Sequence, residues 1–219
     1  MRNTIRSLLV AALLLIANTV FAAAELGKDY KLLNPPQPVS GQKIEVLEFF
    51  FYQCSHCFDM HPHLSAWEKT IPKDVEIMYV PTMFNDSTEP LARAYYALDG
   101  MGQIKQMDDA IYQAIHVDNV SFFDLNSISD FVAKRGVDRT KFSAAYNSFS
   151  VQSKVARAKQ MIRSYNIQGT PTLVVNGKYT ISGLLPRDAL RVLDDVIAVV
   201  RKERPAAPAE SKHKAKATP

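Results

Sequence analysis

A strongly apolar segment that runs directly into a Cys-x-x-C motif is the feature that most constrains how this chain can fold. Residues 44–52, IEVLEFFFY, are rich in aromatic and branched side chains and are typical of a buried strand. Cys54-Ser55-His56-Cys57 follows at once and contains the only two cysteines of the chain. Two thiols at this spacing can close a small disulfide ring. If a helix begins here, the first thiol lies at its positive N-terminal end, which favours a thiolate and makes a redox centre.

The start of the chain has the three parts of a secretory signal peptide. Arg2 and Arg6 supply the positive charge, residues 8–16 the apolar stretch, and residues 20–22 a small-residue cleavage pattern, with cleavage after Ala24 as an alternative. The apolar run is short for a membrane span, so an uncleaved anchor helix is the less favoured interpretation. We therefore expect export to an oxidising compartment, where disulfides persist. The bacterial periplasm fits best, and a eukaryotic secretory route stays open.

The formal net charge of +4 is contributed by the two ends of the chain. Residues 23–200 carry 18 basic and 20 acidic side chains, whereas residues 201–219 are basic and rich in Pro, Ala and Lys. A nucleic-acid-binding protein shows its basic residues clustered on the folded part, so we expect no nucleic-acid partner. The tail is typical of a disordered, solubilising end, and contact with anionic lipid or a partner is the less favoured alternative.

The predicted elements follow the order β-α-β, helical block, β-β-α. A strand at 43–51, a helix at 54–70 that Pro62 should interrupt and kink, and a strand at 75–81 predict a right-handed βαβ unit with parallel strands. Five helices are predicted next, at 90–100, 104–116, 125–135, 139–148 and 151–165. Strands at 172–175 and 178–181 flank Asn176-Gly177, a strong hairpin signal, and a closing helix is predicted at 186–201. One sheet split around a helical insertion explains this order better than two sequential domains.

Three groups of residues together resemble the DsbA-type thiol:disulfide oxidoreductases of the thioredoxin superfamily. These are Glu48-Phe49-Phe50 ahead of the Cys-x-x-C motif, the helical block, and Gly169-Thr170-Pro171-Thr172 ahead of the predicted hairpin. The resemblance covers the mature chain except the tail. It implies an α/β thioredoxin fold with an inserted helical domain.

That fold divides the chain into five parts. We expect a signal peptide at 1–22, a first thioredoxin-like part at 23–86, an inserted helical domain at 87–166, a second thioredoxin-like part at 167–202, and a disordered tail at 203–219.

The resemblance also implies roles for the site residues. Cys54 would be the nucleophile at the helix N-terminus, Cys57 the more buried resolving thiol, and His56 a stabiliser of the thiolate. Glu48 would lie beneath the disulfide and assist proton transfer, for which a raised pKa is suitable. The Thr170-Pro171 loop would pair with an extended substrate, and its proline suits a cis bond.

Simpler interpretations of these residues remain open from sequence alone. His56 could be an exposed polar residue without a redox role, Glu48 could reach solvent or pair with Lys43, and Pro171 could be an ordinary trans proline that opens a strand.

The implied activity is that of a monomeric periplasmic dithiol oxidase. It would oxidise reduced, newly exported proteins through a mixed disulfide at Cys54, and a DsbB-type, quinone-linked membrane partner would reoxidise it, with no separate cofactor. A reductase or isomerase is the alternative within enzymes, and a non-catalytic, peptide-binding chaperone is the alternative outside them.

Two departures from the family pattern concern the active-site helix. Ser55 replaces the commoner proline, and His61 stands where members often carry an acid. Cys54, Cys57, His61 and His63 also form a C-x2-C-x3-H-x-H array of residue types that zinc accepts. We expect no metal, because His63 points away from Cys57 and His61 on a continuous helix, and because a chain of this size needs no zinc to complete its core.

Overall fold

A mixed, five-stranded sheet carries the cysteine motif at the end of a central strand. The computed structural model describes residues 23–39 and 41–204, so the predicted signal peptide and nearly all of the predicted tail lie outside the described residues. The strands are β1 (Lys31–Leu32), β2 (Ile44–Phe50), β3 (Val75–Pro81), β4 (Thr172–Val175) and β5 (Tyr179–Ser182). Their order is β1-β5-β4-β2-β3, with β2 and β3 parallel and every other neighbouring pair antiparallel.

Seven helices surround this sheet within the described residues. They are α1 (Ser55–Glu68), α2 (Glu89–Gly100), α3 (Ile104–His116), α4 (Leu125–Ala133), α5 (Arg139–Tyr146), α6 (Phe149–Ser164) and α7 (Pro186–Glu203). Helices α2 to α6 form the helical block between β3 and β4 in the sequence. The predicted thioredoxin fold with an inserted helical region is therefore confirmed.

Apolar residues on the two sides of the sheet form two cores. One core joins the sheet to α1 and α7, and includes Met60 and Leu64 of α1. The other joins the sheet to the helical block, and includes Phe49, Phe50 and Cys57. Because Cys57 belongs to a core while its helix begins at the surface, the two cysteines of the motif lie in different surroundings.

The predicted Asn176-Gly177 hairpin is confirmed, and its backbone explains the two residue types. Asn176 and Gly177 have φ values of 52° and 62°, which two-residue hairpins of this kind require and which glycine adopts without strain. A Cβ atom on Gly177 would lie 2.2 Å from the carbonyl oxygen of Gln37. The turn therefore needs glycine both for its conformation and for the close approach of the segment before β2.

Two expectations differ from the structure. Helix α1 continues through Pro62, so the proline does not end the helix. Strand β1 was not predicted, because two residues are too few to show an alternating pattern. It pairs with β5 and extends the sheet on that side. No helix in the described part of the chain is long and apolar enough to span a membrane.

Candidate active site

The two cysteines lie at the start of α1, just beyond the carboxyl end of β2. Cys54 is the residue that precedes the helix, with an extended backbone (φ −80°, ψ 118°), and its carbonyl oxygen accepts the first helical hydrogen bond, from the Phe58 amide at 3.0 Å. Cys57 lies in the first turn and its side chain is 0% exposed. Both are free thiols, and Cys54 is half-buried. The predicted contrast between an accessible first cysteine and a buried second one is confirmed.

The surroundings of Cys54 stabilise its thiolate. The hydrogen bond from the Cys57 thiol is the largest of the effects that lower the pKa of Cys54 to about 5. Thr170 and the backbone amides of Cys57 and His56 contribute in the same direction, while burial opposes them. These amides have no backbone acceptor, because they belong to the first turn of α1 and no preceding turn supplies carbonyl oxygens. The local helix geometry therefore favours the anion.

Cys57 responds in the opposite way. Its hydrogen bond to Cys54, its burial and the nearby Glu48 carboxyl raise its pKa far above the ordinary thiol range. One thiolate and one neutral thiol therefore share a single proton across the motif. A thiolate is the species that attacks, or leaves from, a disulfide, so Cys54 has the character of the reactive sulfur.

A second loop, distant in sequence, reaches the same sulfur. The Thr170–Pro171 peptide bond is cis, as predicted, and the Cys54 sulfur lies 3.3 Å from the Thr170 carbonyl oxygen, to which it donates a hydrogen bond only when it is protonated. The Thr170 hydroxyl oxygen is buried and pairs with no nitrogen or oxygen atom of the described residues, whereas it contributes to the lowered pKa of Cys54. This hydroxyl is available to donate to a sulfur anion. The Asn34–Pro35 bond is also cis, which the sequence did not indicate.

Glu48 lies on β2 and is only 3% exposed. Burial, followed by the charges of Asp108 and Cys54, raises the pKa of this carboxyl to about 8. No lysine or arginine in the described part of the chain forms an ion pair with it, so the interpretation in which Glu48 pairs with Lys43 or reaches solvent is wrong. A carboxyl in this state can hold a proton near neutral pH and give it up to a buried partner.

His56 is exposed, and its ring makes no hydrogen bond, ion pair or ring contact with the described residues. Its backbone amide contributes to the low pKa of Cys54, but its imidazole is not among the groups that shift this pKa. The redox role predicted for the His56 side chain therefore stays a prediction.

The His61 side chain contacts α3. Its Nε2 atom lies 2.6 Å from a carboxylate oxygen of Asp109, and its Nδ1 atom lies 3.7 Å from one of Asp108. Among the described residues, no three His, Cys, Asp or Glu side chains are placed to hold a metal ion. The four residues of the C-x2-C-x3-H-x-H array thus do not converge.

Helix α3 supplies contacts that the sequence did not reveal. The Nε2 atom of His116 lies 2.7 Å from the Tyr52 carbonyl oxygen, and its ring stacks on Phe58 with centroids 4.7 Å apart. The Tyr52 hydroxyl donates to Asp108 at 2.5 Å. These partners are 56 and 64 residues apart, so no local pattern pairs them. The helical block therefore contacts the chain on both sides of the cysteine motif.

Comparison with known proteins agrees with this geometry. The chain matches the DSBA-like thioredoxin domain family over residues 59–195, a span that begins just after Cys57. The thiol:disulfide interchange protein DsbA of Bordetella parapertussis is 39% identical over 210 residues, which cover 92% of this chain and 100% of the relative.

Solved structures give the same result. The crystal structure of Pseudomonas aeruginosa DsbA has a TM-score of 0.79 at 33% identity, and the match covers 82% of this chain and 96% of that one. The oxidoreductase DsbA from Xylella fastidiosa has a TM-score of 0.78 at 32% identity, covering 83% and 100%. A paired thiolate and thiol at a helix N-terminus beside a cis-proline loop, in a chain this similar to these proteins, identify it as a member of the DsbA family and a thiol:disulfide oxidoreductase.

Proposed function

We propose that the protein is a dithiol oxidase and that Cys54 is its substrate-reactive sulfur. A substrate thiolate attacks the Cys54 sulfur of the oxidised pair, the Cys54–Cys57 bond breaks, and Cys57 leaves with the electron pair. A second substrate thiolate then attacks the substrate sulfur of the mixed disulfide and releases Cys54 as a thiolate. The substrate gains one disulfide, and the enzyme is left as a dithiol.

The observation that carries this proposal is the lowered pKa of Cys54, about 5, next to a thiol that stays protonated. A stable thiolate stabilises the reduced enzyme relative to its disulfide and makes Cys54 a good leaving group. Both effects favour donation of the disulfide to a substrate over reduction of one.

Glu48 is proposed as the proton donor to Cys57. When Cys57 leaves as a thiolate inside a core, it must gain a proton, because its neutral form is strongly favoured there. Glu48 is buried, holds its proton up to a pH of about 8, and interacts electrostatically with Cys57. It can supply the proton in this direction and accept it when the enzyme is reoxidised.

Thr170 and Pro171 are proposed to dock the substrate backbone. Their loop lies against Cys54, and the Thr170 carbonyl oxygen is within hydrogen-bonding distance of the reacting sulfur. An extended peptide that adds to such an edge is held by main-chain hydrogen bonds with little sequence preference. His56, exposed beside Cys54, is proposed to stabilise the thiolate from the solvent side.

The proposed substrates are reduced or unfolded exported proteins, and the proposed compartment is the periplasm, reached with the signal peptide removed. A DsbB-type membrane quinone reductase is the proposed source of oxidising equivalents, and the protein is proposed to act as a monomer without a cofactor or nucleic acid. The curated relatives are named thiol:disulfide interchange proteins, which supports this assignment.

Oxidation of a reduced, unfolded secretory protein by the purified, oxidised enzyme tests the direction of transfer. We expect stoichiometric disulfide formation by the wild type and none by Cys54→Ala or Cys57→Ala, because neither variant can form the Cys54–Cys57 disulfide that accepts the two electrons. A wild type that instead only reduces scrambled disulfides would favour a reductase or isomerase. Protection from aggregation that survives in Cys54→Ala would favour the chaperone.

A further inference from the structure

The Asp108 carboxylate of α3 is held from both sides of the cysteine motif. The Tyr52 hydroxyl donates to its Oδ1 atom at 2.5 Å, and the His61 Nδ1 atom lies 3.7 Å from its Oδ2 atom. Tyr52 precedes Cys54 by two positions, and His61 follows Cys57 by one helical turn. A single side chain of the helical block thus contacts both ends of the redox segment.

This arrangement is shielded from water, which distinguishes it from the neighbouring contact. Tyr52 is 1% exposed, and the His61 and Asp108 side chains are 13% and 20% exposed. Asp109, which also contacts His61, is 83% exposed. Shielded hydrogen bonds to a charged group are stronger than exposed ones, and an anion placed there must keep its partners. Both Asp108 and Asp109 contact His61, but only Asp108 is shielded from water.

We propose that Asp108 is a positioning residue for the redox pair: it ties both ends of the Cys54–Cys57 segment to the helical block, and its negative charge, in the ionised form, acts on Glu48. This role rests on the oxidoreductase activity, because it acts through the pair that carries it. It assigns a function to Tyr52 and His61 as well, which hold the carboxylate in place.

The charge of Asp108 acts on Glu48. Among the effects that raise the pKa of Glu48 to about 8, Asp108 is second only to burial and precedes Cys54. Burial raises the pKa of Asp108 itself, and the interactions with His61 and with the Tyr52 hydroxyl oppose this rise without cancelling it. The two holding residues thus favour the anionic form of Asp108, and that form in turn favours the protonated form of Glu48.

Among the described residues near Asp108, no other charged group takes the place of His61 in lowering the pKa of Asp108. Asp109 and Glu68 raise the pKa of Asp108 further. A cavity of about 780 Å³ borders Asp108 and His61, and the cations that line it are Lys69, Lys105, Lys154 and Arg157.

Of these cations, Lys154 pairs with Asp99 of α2 at 2.8 Å, and none is among the groups that lower the pKa of Asp108. The nearby phenols of Tyr79, Tyr95 and Tyr112 have raised pKa values through burial and stay neutral.

Titration of Glu48 in the reduced protein tests the charge. The carboxyl would be followed by carbon-13 NMR and identified with Glu48→Gln. Asp108→Asn keeps the shape and the acceptor for Tyr52 but removes the charge. We expect the Glu48 midpoint to fall by about half a unit to one unit, a three- to tenfold loss of proton affinity. Asp109→Asn, one residue along and exposed, should shift the midpoint much less, because Asp109 is not among the groups that raise the pKa of Glu48.

Tyr52→Phe and His61→Asn test the tie, because each removes one contact with Asp108 and retains the Asp108 carboxyl group. We expect each to slow disulfide exchange at Cys54 several-fold, with His63→Asn on the same helix as the control that keeps the wild-type rate. These two variants also serve if Asp108→Asn does not fold.

An unchanged Glu48 midpoint in folded Asp108→Asn, or an equal shift in Asp109→Asn, would overturn the role of the charge. Wild-type exchange rates in both Tyr52→Phe and His61→Asn would overturn the role of the tie. Failure of the wild type to oxidise a substrate would instead count against the proposed direction of transfer, since the Glu48 titration is read without any substrate.

Discussion

The two cysteines have opposite acid–base behaviour because only three residues of helix separate a surface position from a core position. Cys54 lies where backbone amides are unpaired, whereas Cys57 is 0% exposed and next to a buried carboxyl. The sequence predicted this contrast from the motif and its place after a strand. It did not predict that the Cys57 thiol itself is the strongest single contributor to the low pKa of Cys54.

Alkylation of the reduced protein as a function of pH checks this contrast. At pH 6 to 7 we expect iodoacetamide to modify Cys54 and spare Cys57, with a rate that rises through an inflection at about 5. Cys57→Ala should move the inflection upward, because it removes the main hydrogen bond to the thiolate. Equal labelling of both cysteines, or an inflection at the ordinary thiol value of ~8.5, would contradict the account.

Glu48 makes the stability of the protein depend on pH. Its pKa is about 8 when folded, against an ordinary value of about 4.3 when unfolded, so the folded state holds a proton that the unfolded state has lost between these values. The free energy of unfolding must therefore fall as pH rises across this window. Within this pH window the buried carboxyl of Glu48 lowers the stability of the folded state, because folding requires it to bind a proton. A neutral amide at this position has no such cost.

Glu48→Gln should accordingly stabilise the reduced protein at pH 7, by an amount on the order of a few kcal/mol at most, with almost no difference from the wild type near pH 4. Urea unfolding at several pH values measures this. If the variant raises the free energy of unfolding equally at pH 4 and pH 7, titration of Glu48 is not the source of the gain. The same variant should slow turnover at pH 7, because Cys57 loses its proton donor.

At the scale of elements, the sequence predicted those that have a strong local pattern. Asn176-Gly177 between two apolar runs predicted the hairpin, and the apolar run before Cys54 predicted β2. Strand β1 has no such pattern, since its two residues are ordered by pairing with Thr180 and Tyr179 of β5. The interruption expected at Pro62 was wrong because packing of α1 on the sheet maintains the helix around one missing amide donor.

The hairpin glycine allows a matched comparison. Gly177 and Gly183 both have positive φ, 62° and 74°, but only at Gly177 would a Cβ atom meet another group, the Gln37 carbonyl oxygen at 2.2 Å. Replacement of either by alanine should cost about 1–2 kcal/mol for the backbone conformation. Gly177→Ala should cost clearly more, because the segment carrying Gln37 must move.

Chemical denaturation of the two variants measures the difference. Equal losses of stability in Gly177→Ala and Gly183→Ala would contradict the close approach of the Gln37 backbone to Gly177. Thiol reactivity of Cys54 should be unchanged in Gly177→Ala, since Gly177 follows Val175, at the end of β4 opposite Thr172 and the cis-proline loop.

At the scale of the whole molecule, the site is assembled from three distant parts of the chain. The end of β2 and the start of α1 carry the cysteines, the loop before β4 brings Thr170 to the same sulfur, and α3 contacts the segment from the helical block. The first two could be predicted, because each has a motif of its own. Asp108 and His116 could not, because a single polar residue on an amphipathic helix has the same pattern whether it faces solvent or a redox centre.

The central claim is that these contacts stabilise the reduced form through the Cys54 thiolate, and equilibration of the Cys54/Cys57 pair with glutathione tests it most directly. Redox buffers of increasing GSH to GSSG ratio would be applied, and the reduced fraction read after acid quenching and thiol labelling. We predict a strongly oxidising pair, already largely reduced at ratios that leave structural disulfides of secreted proteins intact. A pair that stays oxidised until GSH is in large excess, as structural disulfides do, would contradict the account.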